Sequence, residues 1–366
     1  MKKTAVALLA LLCLLLGGCA SWMDGAYHSV TPYMVSGSRD EGSLTSVSNH
    51  TQLRMALEDI VEDGAESRLI SLVNFDTDKV KTHMEVAIRH ILQSNPVGAY
   101  AVESIDYELG TTGGVPAMIV NVQYNNNRGE INRIRRVKMN DARKLITTAL
   151  DQVQGSIVLR ISDYQVTDYA QLVQDYALAH PESVMEIPQI TVNTYAQSGS
   201  ERILELLFSY QTSRDSLKDM QRYVQPVFTS TTLYVSAEET EEAKFARLYA
   251  LLMETRDYTL ETSITPAYSL LRHGVGDSKT VATVFAAMCG KAQLECMTVT
   301  GTRAGEPWVW NIICENGVYY HVDLFNCYRS GSYRKQADSE MAGYVWDFAA
   351  YPACGLPEEM PQETAE

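Results

Sequence analysis

The chain has 366 residues, which is long enough for two or three domains. Of these residues 46% are hydrophobic and 20% charged, a composition typical of globular proteins. Its formal net charge of −15 argues against a nucleic-acid partner, because a phosphate backbone is bound by a basic surface. The same negative charge disfavours electrostatic attachment to anionic lipids.

The N-terminal residues have the parts of a secretory signal. Lys2-Lys3 is basic, and Ala5 to Leu16 is apolar but too short to favour a membrane-spanning helix. The next residues, Leu16-Gly17-Gly18-Cys19, resemble a bacterial lipobox. That resemblance implies removal of residues 1–18 as a lipoprotein signal peptide and lipidation of Cys19. We therefore expect an extracytoplasmic protein, lipid-anchored to the bacterial cell membrane; an ordinary secretory signal with an incidental cysteine is the alternative.

Residues 19–49 are rich in Ser, Gly and Thr and are predicted to be a flexible linker. Two segments then repeat one order of elements, at 50–130 and 131–213. Hydrophobic periodicity predicts a helix, a strand, a helix and two strands in each. We interpret them as two tandem small α+β modules with a structural or interaction role. They are joined by a basic segment at Asn125 to Lys138, which is expected to be a solvated linker or the edge of a sheet.

The predicted elements of the modules can be given in chain order. The first module is predicted to contain a helix from Thr51, a strand at Arg68–Phe75, a helix at Thr77–Gln93 and strands at Ala99–Leu109 and Pro116–Tyr124. The second is predicted to contain a helix at Asp141–Val153, a strand at Ser156–Asp163, a helix at Thr167–Ala179 and strands at Ile187–Tyr195 and Arg202–Tyr210. Arg214–Val224 is then predicted to be a connector helix, Val227–Val235 a strand and Ala243–Thr255 a helix.

Three polar motifs follow in the order of a nucleophile, a base and an acid. They are Gly276-Asp277-Ser278-Lys279-Thr280, Trp308-Val309-Trp310-Asn311 and Tyr320-His321-Val322-Asp323. The apolar segment Val281 to Met288 predicts a helix that starts near Ser278 and that Asp277 can cap. The other two motifs lie in β-type runs. This arrangement would place a helix N-terminus beside residues of neighbouring strands.

The motifs resemble the transglutaminase-like superfamily, whose core is papain-like, over roughly residues 237–348. The residues in register with the family pattern are Ala267, Tyr268, Gly274, Ala282, Phe285, Cys296, Gly301, Trp310, Asn311, His321, Val322 and Asp323. The resemblance implies a papain-like cysteine protease type of α+β domain at 214–352. Residues 353–366 are rich in Pro and Glu and are predicted to be an acidic disordered tail.

Two of the three catalytic positions that the resemblance implies are substituted. Ser278 stands at the position of the nucleophilic cysteine and Trp308 at that of the histidine, whereas Asp323 keeps the carboxylate. An indole donates one N–H and accepts no proton, so Trp308 cannot act as a base. The favoured interpretation is a pseudoenzyme with a binding or assembly role in the cell envelope. A peptide, protein or glycan ligand would occupy the degenerate groove, where the supporting residues would be Asp277, His321, Trp310 and Asn311.

Two alternatives remain open. The chain could be an active hydrolase or acyltransferase of the same class, using Ser278 with His321 or His273 as a non-standard base. Alternatively, the register could be shifted and Cys289 could be the nucleophile, although its place in an apolar helix predicts burial. Lys279 is a weaker candidate base, because adjacent residues at a helix start point in different directions.

The cysteines do not predict a metal site. Outside the signal peptide and Cys19, five remain in the C-terminal part: Cys289, Cys296, Cys314, Cys327 and Cys354. Five is an odd number, so at least one is unpaired or pairs with another chain. A disulfide is possible but unassigned, and Cys296 and Cys314 are expected to be buried packing residues. The spacing of Cys and His is unlike that of zinc sites, and no complete phosphate-binding loop occurs, so neither metal nor cofactor is expected.

Overall fold

The computed structural model describes residues 45–255 and 257–355. The lipobox, Cys19 and the linker up to residue 44 lie outside these residues, as does the acidic tail from residue 356. Within the described ranges, no helix combines the length and apolarity needed to cross a membrane. The described residues divide into two compact units, one made of residues 45–90 and Val102–Arg128 and the other of Ile91–Ala101 and the described residues from Gly129 onwards.

The first unit is built around a four-stranded sheet. Its elements are β1 (Thr45–Ser46), α1 (His50–Glu62), β2 (Ser67–Ser71), α2 (Val80–Gln93), β3 (Val102–Thr112) and β4 (Val115–Tyr124). The strand order is β1-β2-β4-β3; β1 and β2 are parallel and the other pairs antiparallel. Asn49 caps α1, and Asp76 caps the 3-10 turn Thr77–Lys79 that leads into α2. Leu57 and Met84 belong to its fully buried core.

The second unit begins with a sheet of the same topology. Its elements are α3 (Pro96–Ala101), α4 (Arg128–Ile131, at the boundary), β5 (Arg135–Val137), α5 (Met139–Asp151), β6 (Ser156–Ile161), α6 (Tyr169–Ala179), β7 (Gln189–Tyr195) and β8 (Arg202–Ser209). The strand order is β5-β6-β8-β7, with β5 and β6 parallel. In the two segments that contain these sheets, helices and strands thus follow the order predicted for tandem modules. The predicted boundaries at 50–130, 131–213, 214–352 and 353–366 stay predictions.

Of two short predictions between the sheets, one was wrong and one was correct in part. The first strand after Asn95 begins at Val102 and not near Ala99, because Pro96–Ala101 forms a helix. Gly98 lets this helix approach the backbone of Ile91, where a Cβ would overlap the carbonyl oxygen. The basic segment Asn125 to Lys138 contains the short helix α4 and the strand β5. Because β5 lies at the edge of its sheet, the strand-edge alternative is correct for these residues.

The predicted strand at Val227–Val235 was also wrong. Residues Arg214–Tyr234 form a single helix, α7, with Pro226 inside it. Its buried positions recur at helical spacing: Leu217, Gln221, Val224, Phe228 and Thr231. Burial of this face outweighs the strand propensity of the β-branched residues, and their hydroxyls bond the preceding turn, as in Thr231 Oγ1 to the carbonyl of Phe228 at 2.7 Å.

The remaining elements frame the three motifs. They are α8 (Glu241–Met253), β9 (Thr259–Leu260), α9 (Pro266–His273), β10 (Val275–Gly276), α10 (Ser278–Lys291), β11 (Cys296–Arg303), β12 (Glu306–Glu315), β13 (Val318–Val322), α11 (Leu324–Ser330) and β14 (Tyr344–Trp346). The four-stranded sheet has the order β13-β12-β11-β14 and is antiparallel throughout. Its two faces pack in different clusters.

Alternation along β12 separates these two faces. Ile313 joins the core that contains Phe285 of α10, so odd-numbered residues of β12 face the helices. Trp310 and Ile312 lie in a second cluster with Trp346, formed with the segment after α11. Side chains of the Trp308–Asn311 motif therefore lie on both faces of this sheet.

Candidate functional site

Ser278 is the first residue of α10, as the sequence predicts. The side chain of Asp277 caps the helix by accepting the Thr280 N–H at 2.8 Å, and its other oxygen accepts the Thr262 hydroxyl at 3.1 Å. A fixed cap and the start of a helix together set the position of the Ser278 side chain at the edge of β12.

Among the residues that the structure describes, the hydroxyl of Ser278 contacts backbone and no base. Its Oγ accepts the N–H of Val309 at 3.2 Å, and the residue is only 8% exposed. Within 45–255 and 257–355 this is the one hydrogen bond found for Ser278 Oγ. Lys279, considered above as a base, is exposed.

Trp308 and Asp323 are joined directly. The indole Nε1–H of Trp308 donates to Oδ2 of Asp323 at 2.9 Å. Asp323 is 2% exposed, and its other oxygen caps α11 by accepting the N–H of Asn326 at 3.1 Å. Trp308 thus makes to the carboxylate the type of N–H bond that an orienting carboxylate receives from a histidine in a catalytic triad.

Two further side chains reach the same carboxylate oxygen. Tyr344 donates its hydroxyl to Asp323 Oδ2 at 2.5 Å, and Arg303 Nη1 lies 3.3 Å from it. The Arg303 guanidinium also lies over the rings of Trp308 and Tyr344, at 5.3 and 5.4 Å from their centroids. Burial and the bond to Asp323 both raise the pKa of Tyr344, which keeps its hydroxyl protonated as a donor. The buried charge of Asp323 is therefore balanced by Arg303 and by neutral donors.

Sequence reasoning did not single out Arg303 or Tyr344. The register of β11 and β14 brings them opposite each other. Residue spacing does not predict this pairing, because β14 is only three residues long and is separated from α11 by the segment that follows that helix. The alternation of β11 could have placed Arg303 on the same face as Gly301, beside the tryptophans.

His321 lies on the sheet face opposite α10. It pairs in register with Ile312, and it is fully buried. Trp310 donates its Nε1–H to His321 Nδ1 at 2.9 Å, so Nε2 carries the proton and donates to Asp338 Oδ1 at 2.9 Å. Burial lowers the pKa of His321, an effect that Asp338 partly opposes. Both ring nitrogens are engaged away from Ser278, which gives His321 and Trp310 a structural role.

The other candidates are also placed by the fold. Asn311 is fully buried and donates to the carbonyls of Ala282 at 2.9 Å and Met297 at 3.3 Å, fixing α10 against the sheet. His273 is exposed, and its ring packs on Tyr268 at 5.6 Å. Cys289 is fully buried, as its helix predicts.

One group of possible metal ligands occurs in the described chain. Ligand atoms of His321, Asp338 and Cys354 lie within 4.8 Å of one another. A metal at His321 Nε2 would require the proton on Nδ1, where the N–H of Trp310 already points. The donor set therefore fits a hydrogen-bond network better than a metal.

Comparisons with known proteins bear on the C-terminal part of the chain. The model of the transglutaminase-like superfamily matches residues 229–347. A search of curated proteins gave no significant match. Three solved structures are similar to this chain: a proposed protease from Parabacteroides distasonis, a proposed cysteine protease from Cytophaga hutchinsonii and a TGase.

All three structural similarities are distant. The first has 7% identity over 59% of this chain and 35% of its own length, with a TM-score of 0.22. The second has 10% identity over 43% of this chain and 70% of its own length, with a TM-score of 0.25. The third has 8% identity over 58% of this chain and 62% of its own length, with a TM-score of 0.22. This chain spans about a third of the first of them. Because these TM-scores are low, the assignment to the superfamily depends on the match of residues 229–347 to the family model. The mixed helix and strand fold and the predicted family are confirmed: the chain carries a domain of the transglutaminase-like superfamily at residues 229–347.

Proposed function

We propose that this protein is a cell-envelope lipoprotein whose transglutaminase-like domain binds a ligand or a partner and does not catalyse. The hydrogen bond from Trp308 Nε1 to Asp323 Oδ2 carries the proposal. It commits the single N–H of the indole to the carboxylate, and no other atom of Trp308 can remove a proton. Ser278 therefore has no base on this side.

The chemistry of the family requires an activated nucleophile. A serine hydroxyl is much harder to deprotonate than a thiol, and a helix N-terminus alone cannot supply the difference. Ser278 Oγ receives a bond from the N–H of Val309 and is otherwise enclosed. The alternative of a serine hydrolase would need His321 or His273 as the base. Both ring nitrogens of His321 are bonded to Trp310 and Asp338, and the exposed His273 packs its ring on Tyr268.

A binding role suits the accessible part of the site. Trp308 is half-buried, and the side chain of Arg303 that covers its ring is 26% exposed. An indole face with an adjacent guanidinium can stack on a sugar ring or hold a peptide carboxylate or carbonyl. We propose a peptide or glycan ligand that contacts Trp308 and Arg303, and a membrane attachment through lipid on Cys19.

Catalysis is tested with the full chain in amide hydrolysis and transamidation assays, using glutamine-containing peptides and Ser278→Ala as the control. We expect no turnover above the level of the control. Turnover that disappears in Ser278→Ala would overturn the non-catalytic proposal and support the hydrolase.

Binding is tested by tryptophan fluorescence, with N-acetylglucosamine tetramers and a mixture of casein-derived peptides as probes. We expect saturable quenching that weakens at least tenfold in Arg303→Ala. Arg329→Ala, in the exposed last turn of α11, is the matched control and should bind as the wild type does. Equal binding by Arg303→Ala would place the ligand elsewhere, and no binding of either probe class would remove the peptide and glycan assignment.

A further inference from the structure

Cys289 and Cys296 lie where α10 ends and β11 begins. Cys289 is in the last turn of α10 and Cys296 is the first residue of β11. The chain returns directly between them, because the carbonyl of Cys289 accepts the N–H of Leu294 at 2.9 Å. The two cysteines are therefore neighbours in space as well as in sequence.

The side chain of Cys296 faces the helix. Cys296 packs against the buried core cluster that contains both Cys289 and Leu294. Its partner across the ladder is Ile313, another member of that core. Burial, together with the neighbouring Cys296 side chain, raises the pKa of Cys289.

The sheet separates this pair from two of the other cysteines. Cys314 follows Ile313 on β12 and so faces the opposite side, where Cys354 lies in the cluster of Trp310. Cys327 is on the helix side, but its sulfur accepts the N–H of Arg334 at 3.3 Å. Cys327 is the competing partner, and the experiment below can detect it.

We propose that Cys289 and Cys296 form an intramolecular disulfide when the folded protein meets a disulfide oxidant such as oxidised glutathione. The half-buried Cys296 sulfur attacks the oxidant and releases one glutathione thiol. The Cys289 sulfur then attacks Cys296 and releases the second. Two protein thiols lose two electrons and two protons, and one glutathione disulfide is reduced to two thiols.

This cross-link would join the helix that begins at Ser278 to the strand that ends at Arg303. It stands independently of the proposed binding role. A disulfide restricts the unfolded chain, so oxidation should raise the Tm by several degrees even though the loop that it closes is short. Such a bond persists in an oxidising compartment, which the proposed envelope location would supply.

Peptide mapping identifies the bond directly. Trypsin cleaves after Lys279, Lys291 and Arg303, so the two cysteines fall in adjacent peptides, 280–291 and 292–303. The full chain is incubated with oxidised glutathione, free thiols are alkylated at acidic pH with N-ethylmaleimide, and the digest is analysed by mass spectrometry without reduction. We expect the two peptides as one linked species that separates on reduction.

Matched variants complete the test. The linked species and the rise in Tm should disappear in Cys296→Ser and persist in Cys314→Ser. Cys296 is only half-buried, so this variant should fold; Cys289→Ala is a second route to the same result. Recovery of both peptides in alkylated form would overturn the proposal, as would a link to the peptide 304–329, which contains Cys314 and Cys327.

Discussion

The indole N–H of Trp308 donates to the carboxylate of Asp323 across 2.9 Å, and this bond organises the centre of the transglutaminase-like domain. The same oxygen accepts Tyr344 and lies beside Arg303. A carboxylate that is 2% exposed is stable only with such partners, because an unpaired buried charge is costly. These contacts make Asp323 a structural hub of the domain.

Asp323→Asn should destabilise the domain through this hub. The amide keeps the size of the side chain but removes its charge, leaving Arg303 without its ion pair and turning one acceptor into a donor that faces other donors. Because Arg303 is partly exposed, we expect a loss of about 2 kcal/mol in the free energy of unfolding. Urea denaturation measures it.

The control for Asp323→Asn is Asp347→Asn, an exposed cap of the 3-10 turn Phe348–Ala350. It should cost no more than about 0.5 kcal/mol. Equal effects of the two substitutions would show that the carboxylate of Asp323 has no special weight in the fold.

Substituting Gly301 should also destabilise this region. A Cβ there would overlap the carbonyl oxygen of Val345 and lie 3.0 Å from the Trp310 ring, so the pairing of β11 with β14 must shift. We expect Gly301→Ala to cost about 1–3 kcal/mol in urea denaturation. Gly290→Ala is the matched control, since a Cβ there meets nothing within 4 Å inside a helix and should be neutral or stabilising. A neutral Gly301→Ala would contradict the observed close packing.

How far the sequence predicts this site depends on which contacts are local. The start of α10 at Ser278 and its cap, Asp277, follow from spacing that spans a few residues, and both are correct. The hydrogen bond between Trp308 and Asp323 depends on the pairing of β12 with β13. In the sequence, only the order of the motifs suggested that these two residues meet. Arg303 and Tyr344 arrive through a separate strand pair, so nothing near them in sequence indicates their role.

The errors have a similar physical origin. The strand predicted at Val227–Val235 rested on β-branched residues, whereas the buried face of α7 comes from residues 217–231 packing in the tertiary core. Cys296 and Cys314 were expected to be buried, but both are only half-buried because they lie near strand ends. In each case the outcome depends on how the element packs in the tertiary structure, which the local sequence pattern does not indicate.

The buried His321 should make stability depend on pH. Its folded pKa is lowered by burial, so the folded state keeps the ring neutral while the unfolded chain binds a proton near its ordinary pKa of about 6.5. Stability from this residue is complete above about pH 6.5 and is lost as the pH falls from there towards the lowered folded pKa. Unfolding free energies measured from pH 8 to 5 should show this loss, and His321→Gln should reduce it.

The matched control for His321→Gln is His273→Gln, because that side chain is exposed. It should leave the pH dependence close to that of the wild type. Asp338→Asn should extend the loss to lower pH, since Asp338 raises the pKa of His321 and its removal lowers that pKa further. An unchanged pH dependence in His321→Gln would assign the acid sensitivity to other groups.

Lipidation of Cys19 gives a prediction about the N-terminus. In bacteria grown with an alkyne-bearing fatty acid, the wild-type protein should be labelled and found in the membrane fraction. Cys19→Ser should lose the label and leave the membrane fraction, because the proposed lipid is attached through the sulfur of Cys19. Cys13→Ser, within the predicted signal peptide, is the control and should keep both properties. A wild-type protein that is secreted without lipid would contradict the lipobox.

Rebuilding the family residues tests whether the triad geometry survives. In Ser278→Cys/Trp308→His, an imidazole in place of the indole can bond Asp323 and face a thiol at the N-terminus of α10. We expect the thiol introduced at position 278 to have a lowered pKa and to react with iodoacetamide at pH 6 at least tenfold faster than in Ser278→Cys alone. The tryptic peptide 273–279 contains no other cysteine, so mass spectrometry follows this thiol separately from the native ones. Equal rates in the two variants would contradict the assignment of positions 278, 308 and 323 to a family triad.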